Sequence, residues 1–244
     1  MKKALLLYKK GAKGILLTGG CDKHGHVPIN NFLPAIREIK NKTELVVIAH
    51  TGFVSSKEVA MLEDAGLDGI GFDVVGDAIT AREIYGLYVS EKEYIHSLCA
   101  MNNSSMMIFP HICVGLHFGE LRGEYHALEM IKNIAPSTII ITGLMPVSGT
   151  PMEKIKPKPY DFAKVIYKAI KLFNNIPVVL GCAHSKGKDR EVIESIALEC
   201  GVNGIAAPAL STIKLAKKKG YDINYYGICC GLVPDEKSRI LIDI

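Results

Sequence analysis

Short apolar strands alternate with longer amphipathic helical segments along the whole chain. Several strand segments are nearly continuous runs of Ile, Val and Leu, which is typical of parallel strands covered on both faces. Such repeated strand–helix units imply right-handed crossovers and a parallel sheet. The predicted strands are 14–18, 44–49, 69–74, 106–112, 138–143, 178–181 and 204–207.

Helical patterns fill the intervals between these strands. They cover residues 31–40, 56–65, 123–134, 161–173, 189–200 and 211–218. No antiparallel signal or topological break is visible, which favours a barrel over a doubly wound sheet. No linker or composition shift divides the chain, so residues 1–244 are predicted to form a single domain.

The strand count differs from that of a closed barrel. A closed (β/α) barrel has eight strands, whereas seven strand–helix units are found here. The chain also begins on a helix-like stretch, residues 2–10, and not on a strand. The sequence therefore predicts an α/β fold, a partial TIM-like (β/α) barrel of about seven parallel strands that lacks its first strand.

Composition limits the partners and the location of the chain. Its 244 residues are 48% hydrophobic and 22% charged, with a net charge of +4, which permits an anionic small-molecule ligand but does not indicate nucleic acid. The lysines at 217–219 end a helical pattern, where they complement the helix dipole. No signal-peptide core or membrane-length apolar run is present. Seven cysteines without secretory features predict a reducing cytoplasm.

Polar side chains and a pair of glycines gather where the predicted strands end. Chemistry in parallel barrels takes place at the carboxyl ends of the strands. We therefore expect these residues to lie together around that end of the barrel, which is called the mouth below. They are Gly19, Gly20, Cys21, His50, Asp73, His111, Cys113, Cys182 and His184, with the loops 115–124 and 146–152 between them.

Each candidate also has a simpler interpretation. Cys21 begins a C-x2-H-x-H pattern, but zinc needs a fourth ligand and no second pair stands at zinc-finger spacing. His50 and His111 are candidates for acid–base chemistry or for hydrogen-bonded support. Asp73 suits a ribose hydroxyl pair or the cap of the following turn. The vicinal pair at 229–230 cannot form a mutual disulfide without strain, which favours simple packing.

Several motifs together resemble those of a known superfamily. GILLTGGC (14–21) resembles the second-strand motif of radical S-adenosylmethionine enzymes, in which Gly-Gly followed by Glu contacts the cofactor's methionine amino group. GFD (71–73) falls where the family has its ribose-binding residue. CVGLHFGELRGE (113–124) is similar to the glycine-rich segment beside the adenine, and MPVSGTPM (145–152) to the sixth-strand segment of biotin synthase. With HTG (50–52) and PHICVGL (110–116), the set most resembles biotin synthase-like archaeal proteins.

The resemblance implies a set of contacts at the mouth. Gly19, Gly20 and Cys21 would lie at the methionine end of S-adenosylmethionine and Asp73 at its ribose. Val114, Gly115 and Met145 would lie near the adenine. The groups expected to face a small-molecule substrate, and to carry catalysis, are His50, His111, Glu124, Cys182 and His184.

Three departures from the family pattern bear on mechanism. The C-x3-C-x2-C loop that ligates the family's [4Fe–4S] cluster is absent, because the cysteines stand at 21, 99, 113, 182, 200, 229 and 230. Cys21 replaces the usual Glu, which removes an acceptor for the cofactor's ammonium group. Cys113 replaces an Ile against the adenine, a mild change. A further interpretation is that Cys21, Cys113 and Cys182 together replace the three missing ligands of the cluster.

Three functional hypotheses remain open at this stage. The first is a radical enzyme, or an inactive remnant of one, whose N-terminal cluster-binding unit is missing from this sequence. The second is a cluster-free binding subunit that completes its barrel with another chain. The third is a metal-dependent lyase that uses Cys182, His184 and His50. An open barrel leaves unpaired edges at strands 14–18 and 204–207, and we expect the segment 239–244, a second copy or a partner protein to cover them.

Overall fold

The computed structural model describes residues 1–232 and 240–242, without the side chains of residues 188 and 240–242. The strands are β1 (Gly14–Leu17), β2 (Val46–His50), β3 (Gly69–Asp73), β4 (Met107–Val114), β5 (Ile139–Gly143), β6 (Val178–Leu180), β7 (Gly204–Ala206), β8 (Asn224–Tyr225) and β9 (Ile240–Ile242). The helices are α1 (Lys2–Lys9), α2 (Leu33–Lys42), α3 (Ser56–Asp64), α4 (Ala78–Tyr85), α5 (Glu91–Asn102), α6 (Glu124–Met130), α7 (Pro159–Leu172), α8 (Lys188–Cys200) and α9 (Leu210–Lys218).

The strands form one parallel sheet in the order β1-β2-β3-β4-β5-β6-β7-β9-β8. The seven predicted strands curl into a half-barrel, with the helices packed on its outer face. This confirms the predicted fold class, a partial TIM-like α/β barrel. No helix in the described part of the chain is long and apolar enough to cross a membrane.

Two apolar layers hold the half-barrel together. Side chains alternate across each strand, so Val47 and Ala49 of β2 join the large core beneath the helices while Ile48 points to the concave face. There Ile48 belongs to a smaller cluster with residues of the other strands and of the C-terminal segment. Its members are Ile48, Phe109, Ile140, Val179, Ala206 and Cys230.

Helices α4 and α5, between β3 and β4, were not predicted from the sequence. Asp77 caps α4 by accepting a hydrogen bond from the Thr80 amide, and Ser90 forms a capping box with Glu93 at the start of α5. The buried face of α5 includes the polar Ser97, so its apolar residues make no clean helical stripe. The local caps were the signal that could have found both helices.

The two edges of the seven-strand half-barrel, at β7 and at β1, differ in what covers them. Strand β9 pairs with β7 in parallel, with Ile205 opposite Leu241. The predicted covering segment 239–244 thus supplies a strand at this edge, although residues 239, 243 and 244 lie outside the described part of the chain. Among the described strands, β1 pairs only with β2, and its Leu16 is 40% exposed. Within the described residues the barrel is therefore open beside β1.

Candidate functional site

Two histidines and an aspartate meet at the carboxyl ends of β2, β3 and β4. The strand register sets His50 beside Gly71 and Asp73 beside His111. The two imidazole rings lie 4.5 Å apart, edge to face, and the His111 ring also bonds the Phe109 carbonyl through Nδ1 at 2.8 Å. Gly71 makes room for this pair, because a Cβ there would lie 2.6 Å from the His50 ring.

Burial keeps both histidines neutral at neutral pH. Burial lowers the pKa of His111 to about 4, and a positive charge on His50 would lower it further. Burial also lowers the pKa of His50, although the Asp73 charge opposes this effect. Neutral imidazoles offer a proton acceptor as well as a donor. The pair is therefore suited to exchanging protons or hydrogen bonds with a bound small molecule.

The Asp73 carboxylate is exposed and accepts no hydrogen bond from the described residues. The residue that caps the following helix is Asp77, four positions later. The turn-capping interpretation of Asp73 is thus not realised in the described part of the chain. An uncommitted carboxylate beside two neutral imidazoles is available to accept hydrogen bonds from a ligand.

The glycine turn after β1 is open to solvent. Gly19, Gly20 and Cys21 are all exposed, and a Cβ added at Gly20 would meet no atom within 4 Å. None of the three backbone amides donates to a carbonyl in the described residues. The turn therefore presents unpaired N–H groups at the edge of the mouth.

The following loop, residues 21–28, folds over the end of β2. One Asp22 oxygen accepts the amides of His24 and His26, at 2.8 and 3.0 Å, and these bonds lower the pKa of that carboxyl. The loop is pinned to β2 by the Val27 amide, which donates to the Thr51 carbonyl at 2.9 Å. Sequence analysis missed the role of Asp22. Nowhere among the described residues do three His, Cys, Asp or Glu side chains stand where they could hold a metal ion.

Glu124 supports the loop between β4 and α6. It is 6% exposed; Oε1 accepts the Gly115 amide at 2.8 Å, and Oε2 accepts the amides of Arg122 and Gly123. Arg122 in turn donates to Asp77 at 2.7 Å. The Glu124 oxygens are thus engaged with the backbone, which fixes Gly115 at the left-handed φ of +72°.

The segments expected near an adenine are adjacent. Val114 is fully buried at the end of β4, and its carbonyl accepts the Leu144 amide at 3.0 Å. Met145, the next residue, is half-buried at the start of the loop after β5. Cys113 precedes Val114 in β4, and burial raises the pKa of its thiol to about 12. Val114, Gly115 and Met145 therefore lie together at one side of the mouth.

Cys182 and His184 follow β6 and have different surroundings. The His184 ring is buried, with Nδ1 2.6 Å from the Gly181 carbonyl and Nε2 3.0 Å from Glu194 Oε1. Both ring nitrogens of His184 are thus engaged with groups of the protein. Cys182 is exposed. The described residues do not bring Cys21, Cys113 and Cys182 into a metal-binding group.

Glu194 is the centre of a network that sequence analysis missed. It is fully buried and accepts hydrogen bonds from His184, Arg190 (2.7 Å), Thr212 (2.5 Å) and the Ala209 amide (2.8 Å). Burial alone would raise its pKa, but these bonds outweigh burial and hold the pKa at about 2. The only local signal was the i, i+4 spacing of Arg190 and Glu194 on α8.

Comparison with known proteins gives weak sequence matches and clear structural ones. No family model matches the chain. Biotin synthase of Oleidesulfovibrio alaskensis is 28% identical over 156 residues, covering 59% of this chain and 47% of that protein. Biotin synthase of Leptothrix cholodnii is 25% identical over 188 residues, covering 70% and 52%. The chain thus spans about half the length of the curated relatives it matches.

Two solved structures share the fold. Methylornithine synthase superposes with a TM-score of 0.60 at 16% identity, covering 84% of this chain and 60% of that one. The FeFe-hydrogenase maturase HydG from Carboxydothermus hydrogenoformans gives 0.62 at 15% identity, covering 85% and 50%. The similarity to biotin synthases and the shared fold together support the radical S-adenosylmethionine, biotin synthase-like superfamily that the motifs resemble.

Proposed function

We propose that this chain is a biotin synthase-like barrel that binds S-adenosylmethionine and a small-molecule substrate at its strand ends. The observation that carries the proposal is Asp73. Its carboxylate is exposed at the end of β3 without a hydrogen bond from the described residues, whereas Asp77 and Glu124 nearby are both committed to backbone amides. A vicinal diol such as a ribose is a suitable partner for a carboxylate in this position.

The neighbouring elements suit the rest of the cofactor. The amides of Gly19, Gly20 and Cys21 are unpaired with backbone in the described residues, and such amides can donate to the methionine carboxylate. Met145, half-buried next to the buried Val114 and Gly115, would give the adenine ring an apolar contact. With Cys21 in place of the family's Glu, the cofactor's ammonium group lacks its usual acceptor in this turn.

His50 and His111 are the candidate catalytic groups facing the substrate. Both are neutral at neutral pH and lie beside Asp73. They are placed to accept or donate a proton at a bound small molecule. Glu124 and His184, also expected on the substrate side, have their polar atoms engaged with the protein, and we assign them to holding the loops after β4 and β6.

The donor set of this chain does not fit the family's [4Fe–4S] cluster. The sequence holds no C-x3-C-x2-C, and the described residues assemble no group of three metal-ligating side chains. Three thiolates on such a cluster are what the family's reductive cleavage of the cofactor requires. The proposal for these 244 residues therefore ends at binding, and radical chemistry would need cysteine ligands from outside them.

The bare edge of β1 is where another polypeptide segment would join. Among the described strands β1 pairs only with β2, and its Leu16 is an exposed apolar side chain. An unpaired edge with apolar flanks favours pairing with another strand. We assign to this edge the homo-oligomer or partner protein expected from the sequence.

Two further features bear on the remaining alternatives. A lyase that binds metal through His184 is disfavoured, because the ring is buried and its two nitrogens lie at hydrogen-bond distance from the Gly181 carbonyl and from Glu194. The cytoplasmic location stays a proposal from the sequence, in which seven cysteines stand without secretory features.

The test of cofactor binding is the substitution Asp73→Asn. Loss of a charge-assisted hydrogen bond to a ribose costs about 1.5–3 kcal/mol, so we expect the dissociation constant for S-adenosylmethionine to rise about ten- to hundred-fold. Isothermal titration under anaerobic conditions gives the affinity. The matched control is Asp64→Asn, because Asp64 is an exposed carboxylate on the salt bridge to Arg37, distant from the mouth.

The control variant is expected to bind as the unmodified chain does. Equal affinity in Asp73→Asn and Asp64→Asn would contradict the assignment of Asp73 to the ribose. Absence of binding in all three proteins would contradict the proposed function itself.

A further inference from the structure

Helix α1 buries little of its surface against the rest of the protein. Ala4 is its one buried residue, at 6% exposed. Leu6, Leu7 and Tyr8 are 53%, 37% and 38% exposed. Elsewhere in the described part of the chain, no three consecutive large apolar side chains are exposed. An exposed apolar run on a helix that scarcely joins the core is typical of a contact surface.

The apolar run lies within a cluster of lysines. Lys2 and Lys3 stand one helical turn before Leu6. Lys9 and Lys10 stand one turn after it, and all four lysines are exposed. Residues three or four apart on a helix are neighbours on its surface, so four lysine side chains surround Leu6. The α1 face is defined here as Lys2, Lys3, Leu6, Leu7, Lys9 and Lys10.

The positive charge of this segment is not neutralised by the protein. Residues 1–13 carry five of the chain's 29 basic residues and none of its 25 acidic ones. The rest of the chain therefore has one acidic residue more than it has basic ones. None of the five lysines forms an ion pair with a described carboxylate. The net positive charge of the chain is thus concentrated around the exposed apolar run.

Helix stability does not account for lysines at both ends of α1. A lysine in the last turn complements the helix dipole, which suits Lys9. Lys2 and Lys3 lie in the first turn, where a positive charge opposes the dipole. That turn contains no acidic residue, and Met1 forms no side-chain cap. The first-turn lysines are therefore unfavourable for the helix itself, which favours a role in binding an anionic partner.

We propose that the α1 face binds the surface of a membrane that contains anionic phospholipids. The lysine ammonium groups contact lipid phosphates, and Leu6 and Leu7 enter the layer below the headgroups. Such a helix lies on the membrane and does not cross it. An acidic protein surface is a less suitable partner, because protein interfaces are enriched in arginine and depleted in lysine, and residues 1–13 hold no arginine. The site is independent of Asp73 and of the cofactor proposal, since it lies on a different element.

A single fluorophore tests the contact directly. The chain contains no tryptophan, so an introduced one reports only its own surroundings. In Leu6→Trp, extruded phosphatidylcholine vesicles with about 30% phosphatidylglycerol are expected to shift the emission to shorter wavelength and to reduce quenching by acrylamide. Vesicles of pure phosphatidylcholine are expected to change neither. The matched control is Leu210→Trp, at a leucine that is 76% exposed on α9, and it is expected to show no change with either vesicle.

Cosedimentation with the same vesicles measures the affinity of the unmodified chain. A lysine near an anionic surface contributes about fivefold in affinity. Lys9→Gln combined with Lys10→Gln is therefore expected to weaken binding about 20- to 30-fold. Salt at about 0.5 M is expected to abolish binding, because it screens the charges. The control pair Lys217→Gln with Lys218→Gln, at exposed lysines in the last turn of α9, is expected to leave the affinity unchanged.

Failure of the unmodified chain to sediment with the anionic vesicles at low salt would overturn the proposal. So would equal binding to vesicles with and without phosphatidylglycerol. Sedimentation without a change in the emission of Leu6→Trp would assign the contact to another surface, and would also overturn it. Binding to poly-L-glutamate but not to vesicles would assign the α1 face to an acidic protein. A dimer that Leu6→Gln converts to a monomer, without vesicle binding, would assign it to a second copy of the chain.

Discussion

Single buried charges decide much of the chemistry around the mouth, and Glu194 is the strongest case. It hydrogen-bonds four groups from three different segments, namely His184, Arg190, Thr212 and the Ala209 amide. An isolated buried carboxylate would be costly, but one with a cationic partner and further hydrogen bonds is tolerated. One buried carboxylate thus connects the loop after β6 with α8 and with the start of α9.

Glu194→Gln is expected to destabilise the fold by about 3 kcal/mol at pH 7, because it removes the buried negative charge that pairs with Arg190 and that His184 and Thr212 hydrogen-bond. The pKa of Glu194 is about 2 in the folded protein against an ordinary 4.5. Its stabilising effect is therefore complete above pH 4.5 and is lost as the pH falls from 4.5 towards 2. Urea unfolding at a series of pH values measures this difference between variant and unmodified protein.

The control is Glu199→Gln on the same helix, because Glu199 is an exposed partner of Lys219 and is expected to contribute little. The difference between Glu194→Gln and the unmodified chain is expected to shrink over the acid range. A difference that is constant between pH 7 and pH 3 would contradict the assignment of the charge to Glu194.

At the scale of elements, the loop between β4 and α6 depends on one side chain. Glu124 accepts three backbone amides and fixes the turn at Gly115, next to the wall assigned to the adenine. Glu124→Gln replaces an acceptor oxygen by an NH2 group that faces amide donors. We expect a loss of about 1–3 kcal/mol in unfolding free energy and a several-fold weaker binding of S-adenosylmethionine, both measurable on the same sample.

The matched control for this loop is Glu120→Gln. Glu120 lies in the same loop but forms only an exposed salt bridge to Lys158, so we expect little change in either quantity. If Glu124→Gln bound the cofactor as tightly as Glu120→Gln does, the loop would not form the adenine wall.

The seven strands were predictable because each is a short run of buried apolar residues, and the observed bounds differ from the predicted ones by two residues or fewer. Asp73 was predictable as a polar residue at a strand end. The role of Glu124 was not, because its partners are backbone amides that carry no residue signature. Nor was the burial of Cys230 against Phe109 and Ile140, since it depends on the path of residues 226–232 through the concave face.

At the scale of the whole molecule, the half-barrel has candidate cofactor-binding groups at its strand ends but lacks the cysteine ligands of an iron–sulfur cluster. The strand ends gather an open glycine turn, a free carboxylate and a neutral histidine pair. The chain carries no C-x3-C-x2-C and leaves the β1 edge bare among the described strands. These features are the ones that the proposed cofactor-binding barrel requires, and in that proposal any cluster ligands come from another polypeptide segment.

The most direct measurement is the binding of S-adenosylmethionine to the anaerobically purified chain, with the absorbance near 400 nm recorded before and after reconstitution with iron and sulfide. The account predicts about one equivalent of bound cofactor without that absorbance, and no stable cluster absorbance after reconstitution. Cofactor binding that occurs only in a reconstituted, strongly absorbing protein would contradict it, because these 244 residues would then hold the cluster themselves.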